Sequence, residues 1–128
     1  MKNKKILVDM SATLIHHGHI RLLKKAFNYG NVYVALTKDK EIKKYKGYKP
    51  ELKFKYRKEV LSSIKYIKKV IPSNFHITDN FIKKHKIDFL IHGNDNKNKI
   101  QSCKIKIFKR TKEISSTILR KKILKYKK

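Results

Sequence analysis

The feature that most narrows the possible folds is the alternation of two periods along the chain. Short apolar, partly β-branched runs recur at Lys4 to Met10, Val32 to Leu36, Val70-Ile71-Pro72, Ile87 to His92 and Lys104 to Lys109. Runs of this length suit strands and are far too short to span a membrane. Between them the apolar residues return every three or four positions, as on one face of a helix. This spacing predicts a helix from His17 carrying Ile20, Leu23 and Phe27 inward, with Gly30 as its C-terminal stop. Further helices are expected over Tyr56 to Ile67 (Val60, Leu61, Ile64 and Ile67 inward), Ile77 to His85 (Phe81, Ile82) and Ser115 to Tyr126 (Ile118, Leu119, Ile123). The lysine-dense stretch from Lys38 to Lys55, with Gly47 and Pro50, reads mostly as a mobile loop. Strands alternating with helices at this pace predict an α/β fold. The expectation is a single Rossmann-like domain over residues 1–128, with a five-stranded parallel sheet and helices on both faces.

Composition removes several other classes. At 128 residues and 40% hydrophobic, the chain supports one domain with a true core. Its single cysteine, Cys103, cannot close an internal disulfide and reads as a small buried residue, which excludes a disulfide scaffold. The basic start runs into Asp9 before any signal-peptide core develops, so a cytoplasmic location is expected. A net charge of +26 is the usual footprint of nucleic-acid binding. Yet 31 of the 35 basic residues are Lys and 4 are Arg, and they spread along the whole chain. Lys, Ile and Asn all have A/T-rich codons, so base composition alone accounts for the profile. Selection for bidentate phosphate or guanine contacts favours Arg. No specific nucleic-acid partner is expected, although the charge attracts small polyanions.

In a parallel sheet, ligands bind beyond the carboxyl ends of the strands. The turns that matter therefore follow Met10, Leu36, His92 and Lys109. After the first strand comes His16-His17-Gly18-His19, opening a helix whose N-terminus favours an anion. His16 and His19 can both donate to a phosphate there, and Gly18 permits close approach. After the last strand, Arg110-Thr111-Lys112-Glu113-Ile114-Ser115-Ser116-Thr117 again joins strand to helix. Ser115 or Ser116 is a good helix N-cap, and with Arg110 the segment also forms a second phosphate cradle. Two such cradles suit a triphosphate better than a monophosphate.

His16-x-Gly18-His19 with Arg110-Thr111-x-x-Ile114-Ser115-Ser116-Thr117 resembles the HxGH and RTxGIST motifs of small cytidylyltransferases, most of all the glycerol-3-phosphate cytidylyltransferase group. The likeness runs from Ile6 to about Lys125. Lys46-Gly47 looks like the family's loop lysine, and Ile91-His92-Gly93-Asn94-Asp95 is similar to its MGDD-type loop. The resemblance implies a CTP-dependent nucleotidyltransferase. It transfers CMP to a small phosphorylated acceptor, like glycerol 3-phosphate or another capsule or wall precursor such as phosphoglutamine. His16 and His19 would then hold the reacting phosphates. Lys46 would close over the α-phosphate, with Lys49 a lesser helper. Arg110 and Ser115-Ser116-Thr117 would hold the outer phosphates, and Met10, Ser11, Ala12, Gly18, Gly93, Asp95, Thr111 and Ile114 would complete the nucleotide site. Thr13 and Arg57 are assigned to the acceptor. Magnesium is expected mainly on the CTP phosphates, and a homodimer is implied.

The chain also departs from the pattern. Where the family reads GTFDLLH, Met10-Ser11-Ala12-Thr13-Leu14-Ile15-His16 puts Thr13 in place of the acid and Ala12 in place of the aromatic. Glu113 stands where glycine is usual, and Asn94 replaces an acid. Three alternatives remain. Ile114-Ser115-Ser116-Thr117-x-x-Arg120 also resembles the ISSTxxR motif of adenylyltransferases, which would use ATP. A lysine-driven nucleic-acid-binding module would not need His16. A zinc site at His16, His17 and His19 lacks a completing ligand.

Overall fold

The computed structural model describes residues 3–93, 100–109 and 111–126. Five strands, β1 (Lys5–Met10), β2 (Asn31–Thr37), β3 (Ile67–Ser73), β4 (Phe89–Gly93) and β5 (Lys104–Phe108), form one sheet in the order β3-β2-β1-β4-β5. Every pairing is parallel, with Leu7 beside both Tyr33 and Leu90. The order reverses between β1 and β4, which opens a crevice at their carboxyl ends.

Alternate residues of the strands feed two cores. On one face Ile6, Val8, Val34 and Val70 pack against Leu23 and Ala26 of α1 (His17–Phe27) and Leu61 of α3 (Phe54–Ser62). On the other, Leu7, Ala35 and Leu90 meet Ile82 of α4 (Asp79–Lys84), together with Ile77, Ile87 and Ile100. The two-faced parallel architecture read from the sequence is the one observed.

Several boundaries differ, each for a physical reason. The stretch expected to be mostly loop contains a helix, α2 (Asp39–Lys46). Its only buried residue is Ile42, too sparse an apolar signal to register as a period. Lysine is nonetheless a good helix former, and charge follows the helix dipole: Asp39 and Glu41 in the first turn, Lys43, Lys44 and Lys46 in the last. The helix expected over Tyr56 to Ile67 instead spans α3, and Ile67 opens β3. Its buried positions are Arg57 and Leu61, while Val60 is exposed, because an arginine occupies the place an apolar residue would take. Phe27, expected inward on α1, is also exposed. The α1 C-cap is Asn28, not Gly30. Gly30 has φ +153, and a Cβ there would stand 2.6 Å from the Lys4 carbonyl oxygen. Glycine is required there to let β2 start alongside β1, where Asn31 N–H donates to that same oxygen at 2.9 Å. The final helix, α5 (Ser116–Lys125), leaves Ile123, Leu124 and Tyr126 exposed.

Candidate active site

The carboxyl ends of β1, β2, β3 and β5 surround one cleft of about 520 Å³. The turn after β1 supplies its floor, through Met10, Ser11, Ala12 and Thr13. Ala12 is buried with φ +48, a left-handed backbone uncommon for a residue with a Cβ. Such held strain belongs where the chain must turn sharply beside a ligand.

The start of α1 is built by its histidines. His16 is the N-cap: Gly18 N–H donates to its Nδ1 at 3.0 Å, and His16 N–H donates back to His19 Nδ1 at 3.1 Å. This is a capping box made of imidazoles. A ring nitrogen that accepts an N–H carries no proton, so each neutral ring bears its hydrogen on Nε2. The two rings lie with centroids 4.0 Å apart, and both border the cleft. Gly18 serves the cap itself: a Cβ there would meet His16 Cε1 at 2.8 Å. Burial, and then the neighbouring His17, hold the His16 imidazole below its ordinary pKa. The folded state therefore disfavours the proton, and the cap needs Nδ1 bare. Below about pH 6.5 the unfolded chain binds that proton while the folded one resists it, so stability falls as pH falls. His85 is displaced the same way, by burial and then by Lys84, Lys5 and Lys69. The His16 share is isolated by comparison with His16→Asn, which caps without titrating in this range. Melting between about pH 7.5 and 5.5 is expected to show a steeper loss in the parent than in that variant.

The second turn meets the first. Ser115 caps α5, accepting from Ile118 N–H at 3.0 Å. The Ser116 hydroxyl reaches back across the cleft: it donates to the Leu14 carbonyl at 2.9 Å and accepts from Leu14 N–H at 3.3 Å. Neither α1 nor α5 has an acidic residue in its first turn. Two positive helix ends thus face one space. Glu113, standing where the resembling family has glycine, keeps a left-handed φ of +64, so the turn survives the substitution.

Thr111, Ile114, Ser115, Ser116, Thr117, Gly18 and Lys46 all border the cleft. Lys49 is exposed and outside that lining. Gly93 ends β4 at the same edge of the sheet, while Asp95 and Arg110 lie outside the described residues. Thr13 is buried, and its hydroxyl accepts from Arg120 Nη2 at 3.1 Å.

Arg57, assigned from the sequence to the acceptor, is corrected by the structure. It is fully buried, and its donors go to the chain: Nε to Leu52 O at 3.0 Å, Nη1 to Ser11 O at 2.6 Å and Thr37 O at 2.9 Å, Nη2 to Asp39 Oδ1 at 2.6 Å. It ties the exits of β1 and β2 together beneath the cleft.

The sequence reading also missed wall residues. Arg21 and Lys25, four apart on α1, join Lys109 on the rim, where even spread had made the basic residues look uninformative. Phe75 and His76 were not missed: the sequence offers them as pocket lining or as packing, and both line the cleft beyond β3, with Tyr45 stacked on Phe75 at 4.8 Å.

A cytidylyltransferase-like family profile matches residues 11–122, which takes in both turns. The chain belongs to that family. It is similar to the glycerol-3-phosphate cytidylyltransferase of Bacillus subtilis (strain 168), with 30% identity over 94% of this chain and 97% of the relative. The ethanolamine-phosphate cytidylyltransferase of Mus musculus is 31% identical over 71% of this chain but only 23% of its own length. Among solved structures, a lipopolysaccharide core biosynthesis protein from Thermoplasma volcanium GSS1 superposes with a TM-score of 0.73, covering 84% of this chain and 98% of its own at 19% identity. That likeness speaks for the fold. The family and nucleotidyltransferase class expected from HxGH and RTxxISST agree with the profile and the relatives.

Proposed function

We propose that this cytidylyltransferase-like chain transfers CMP from CTP to a small phosphorylated acceptor. One observation carries the reading: the imidazole turn and the hydroxyl-rich turn share one cleft and are joined through Ser116 and Leu14. An oxygen of the acceptor phosphate attacks the α-phosphorus of CTP. The bond to the β-phosphate oxygen breaks, its electrons leave on pyrophosphate, and a CDP-linked product forms. Positioning and charge neutralisation dominate such a transfer, without a covalent enzyme intermediate.

The Nε2–H groups of His16 and His19 donate to the reacting phosphates, at the end of a helix dipole of favourable sign. Lys46, at the C-terminal end of α2, closes on the α-phosphate and acceptor. The N-terminus of α5 takes the outer phosphates, assisted by Arg110. Arg21, Lys25 and Lys109 add positive field along the entry. Magnesium suits this site as an ion carried on the nucleotide, since Asp9 is the one carboxylate among the described lining residues. It would supply further neutralisation of the phosphate oxygens.

The reading takes the acceptor to be glycerol 3-phosphate, the one in the name of the Bacillus subtilis relative, or another capsule or wall precursor phosphate such as phosphoglutamine. The same reading takes the enzyme as a cytoplasmic homodimer. Among the described residues no helix is long and apolar enough to cross a membrane. The test is a screen with magnesium and either CTP or ATP across phosphomonoester acceptors, read by pyrophosphate release and product mass. Pyrophosphate and a CDP-linked product from CTP are expected. Turnover with ATP alone overturns the nucleotide assignment.

A further inference from the structure

We infer that Glu51 and Arg120 form a positioning pair that fixes the segment carrying Lys46 against the cleft; the catalytic consequence rests on the transfer reaction proposed above. Arg120 lies on α5, and Glu51 in the connector between α2 and α3. The guanidinium meets the carboxylate in a two-pronged contact, Nη2 to Oε1 at 2.8 Å and Nε to Oε2. Its central carbon sits over the Tyr48 ring, 4.3 Å from the centroid, and Nη2 also donates to the Thr13 hydroxyl at 3.1 Å. One side chain therefore joins α5, the connector and the turn after β1. Lys46, Tyr48, Thr117 and Arg120 together line a second, shallower hollow, so Lys46 stands between this contact and the main cleft.

The far end of the connector is also tied. Arg57 holds the Leu52 carbonyl, and Phe54 N–H donates to Asp39 Oδ2 at 3.2 Å. Glu51 gives the stretch between Gly47, which caps α2, and Leu52 a charged tie to α5. That tie keeps Lys46, at the end of α2, beside the cleft it borders and within reach of the α-phosphate. An isolated exposed ion pair contributes little, but a fork-to-fork arginine–carboxylate contact stacked on an aromatic ring is stronger and directional. The carboxyl of Glu51 is held below its ordinary pKa first by its hydrogen bond with Arg120, and Arg120 is raised first by Glu51, so both partners stay charged at neutral pH.

Four proteins test the pair: the parent, Glu51→Gln, Arg120→Gln, and the exchanged double variant Glu51→Arg/Arg120→Glu. The first readout needs no substrate: the rate of trypsin cleavage after Lys46 or Lys53 in the folded, nucleotide-free protein, followed by fragment mass so that cutting at position 51 of the exchanged variant is left out of the count. Each single variant is expected to be cut roughly three- to ten-fold faster, the range of a moderately strong charged contact, and the exchange to recover most of the protection. The second readout is kinetic. Loosening the connector lowers the population that binds productively, so KM for CTP and acceptor rises by a similar factor while saturating kcat changes little. Simple loss of folded protein lowers kcat at constant KM. Unchanged cleavage in the single variants, an exchange no better protected than they are, or a fall in kcat at constant KM overturns the pair. If the parent transfers no CMP, the functional reading fails while the cleavage readout still decides the pair.

Discussion

Replacing Arg57 with alanine is expected to lower the unfolding free energy by about 3–5 kcal/mol, the range for breaking a buried, hydrogen-bonded charge. The side chain is fully buried and donates to three backbone carbonyls and the Asp39 carboxylate. Truncation leaves those acceptors short of a partner and opens a void against Phe54, whose ring lies 5.7 Å from the guanidinium carbon. With total stabilities of about 5–15 kcal/mol, a loss of that size removes much of the fold's margin. Lysine does not substitute, because one ammonium cannot reproduce the planar fork that reaches Leu52, Ser11, Thr37 and Asp39 together. Urea unfolding of the parent, Arg57→Ala and Arg57→Lys measures this. A loss under about 1 kcal/mol, within the range of an ordinary surface change, contradicts the structural role.

The second large effect is on rate and leaves the fold intact. His16→Asn keeps a good N-cap and removes the imidazole, and His19→Ala removes its partner. Each is expected to lower kcat by about a hundred- to a thousand-fold, the cost of removing one preorganised donor from a developing negative charge. The losses should not multiply in the double variant, because the two rings, with centroids 4.0 Å apart, act as a unit on the same phosphates. Circular dichroism and melting establish that the variants are folded, and initial rates of pyrophosphate release give kcat. Folded variants turning over at near-parental rates contradict the assignment of the histidines.

Strands were legible in this sequence where the chain made its choice locally. Ile6-Leu7-Val8 and Val32 to Leu36 are buried on both sides of the sheet, and an unbroken apolar run says so directly. The two motif turns were legible for a related reason, since glycine, histidine and hydroxyl residues cluster there beyond what a surface loop needs. What stayed hidden depended on partners distant in sequence. Nothing local to Ile42 shows that one apolar residue suffices to seat α2. Nothing near Arg57 announces that its guanidinium meets carbonyls 46 and 20 residues away. Arg120 pairs with Glu51 across 69 residues, and that contact is visible only once β1, the connector and α5 share an edge. Arg21 and Lys25 were concealed by their own kind: in a chain with 35 basic residues, the few that face the cleft look like the rest.

Cocrystallisation with CTP and magnesium tests most directly whether one triphosphate lies between the two turns. Phosphate oxygens are expected within hydrogen-bonding distance of Nε2 on both His16 and His19, with the outer phosphates against the backbone N–H groups that begin α5. A nucleotide bound elsewhere, or touching one turn while the other faces solvent, would contradict the account.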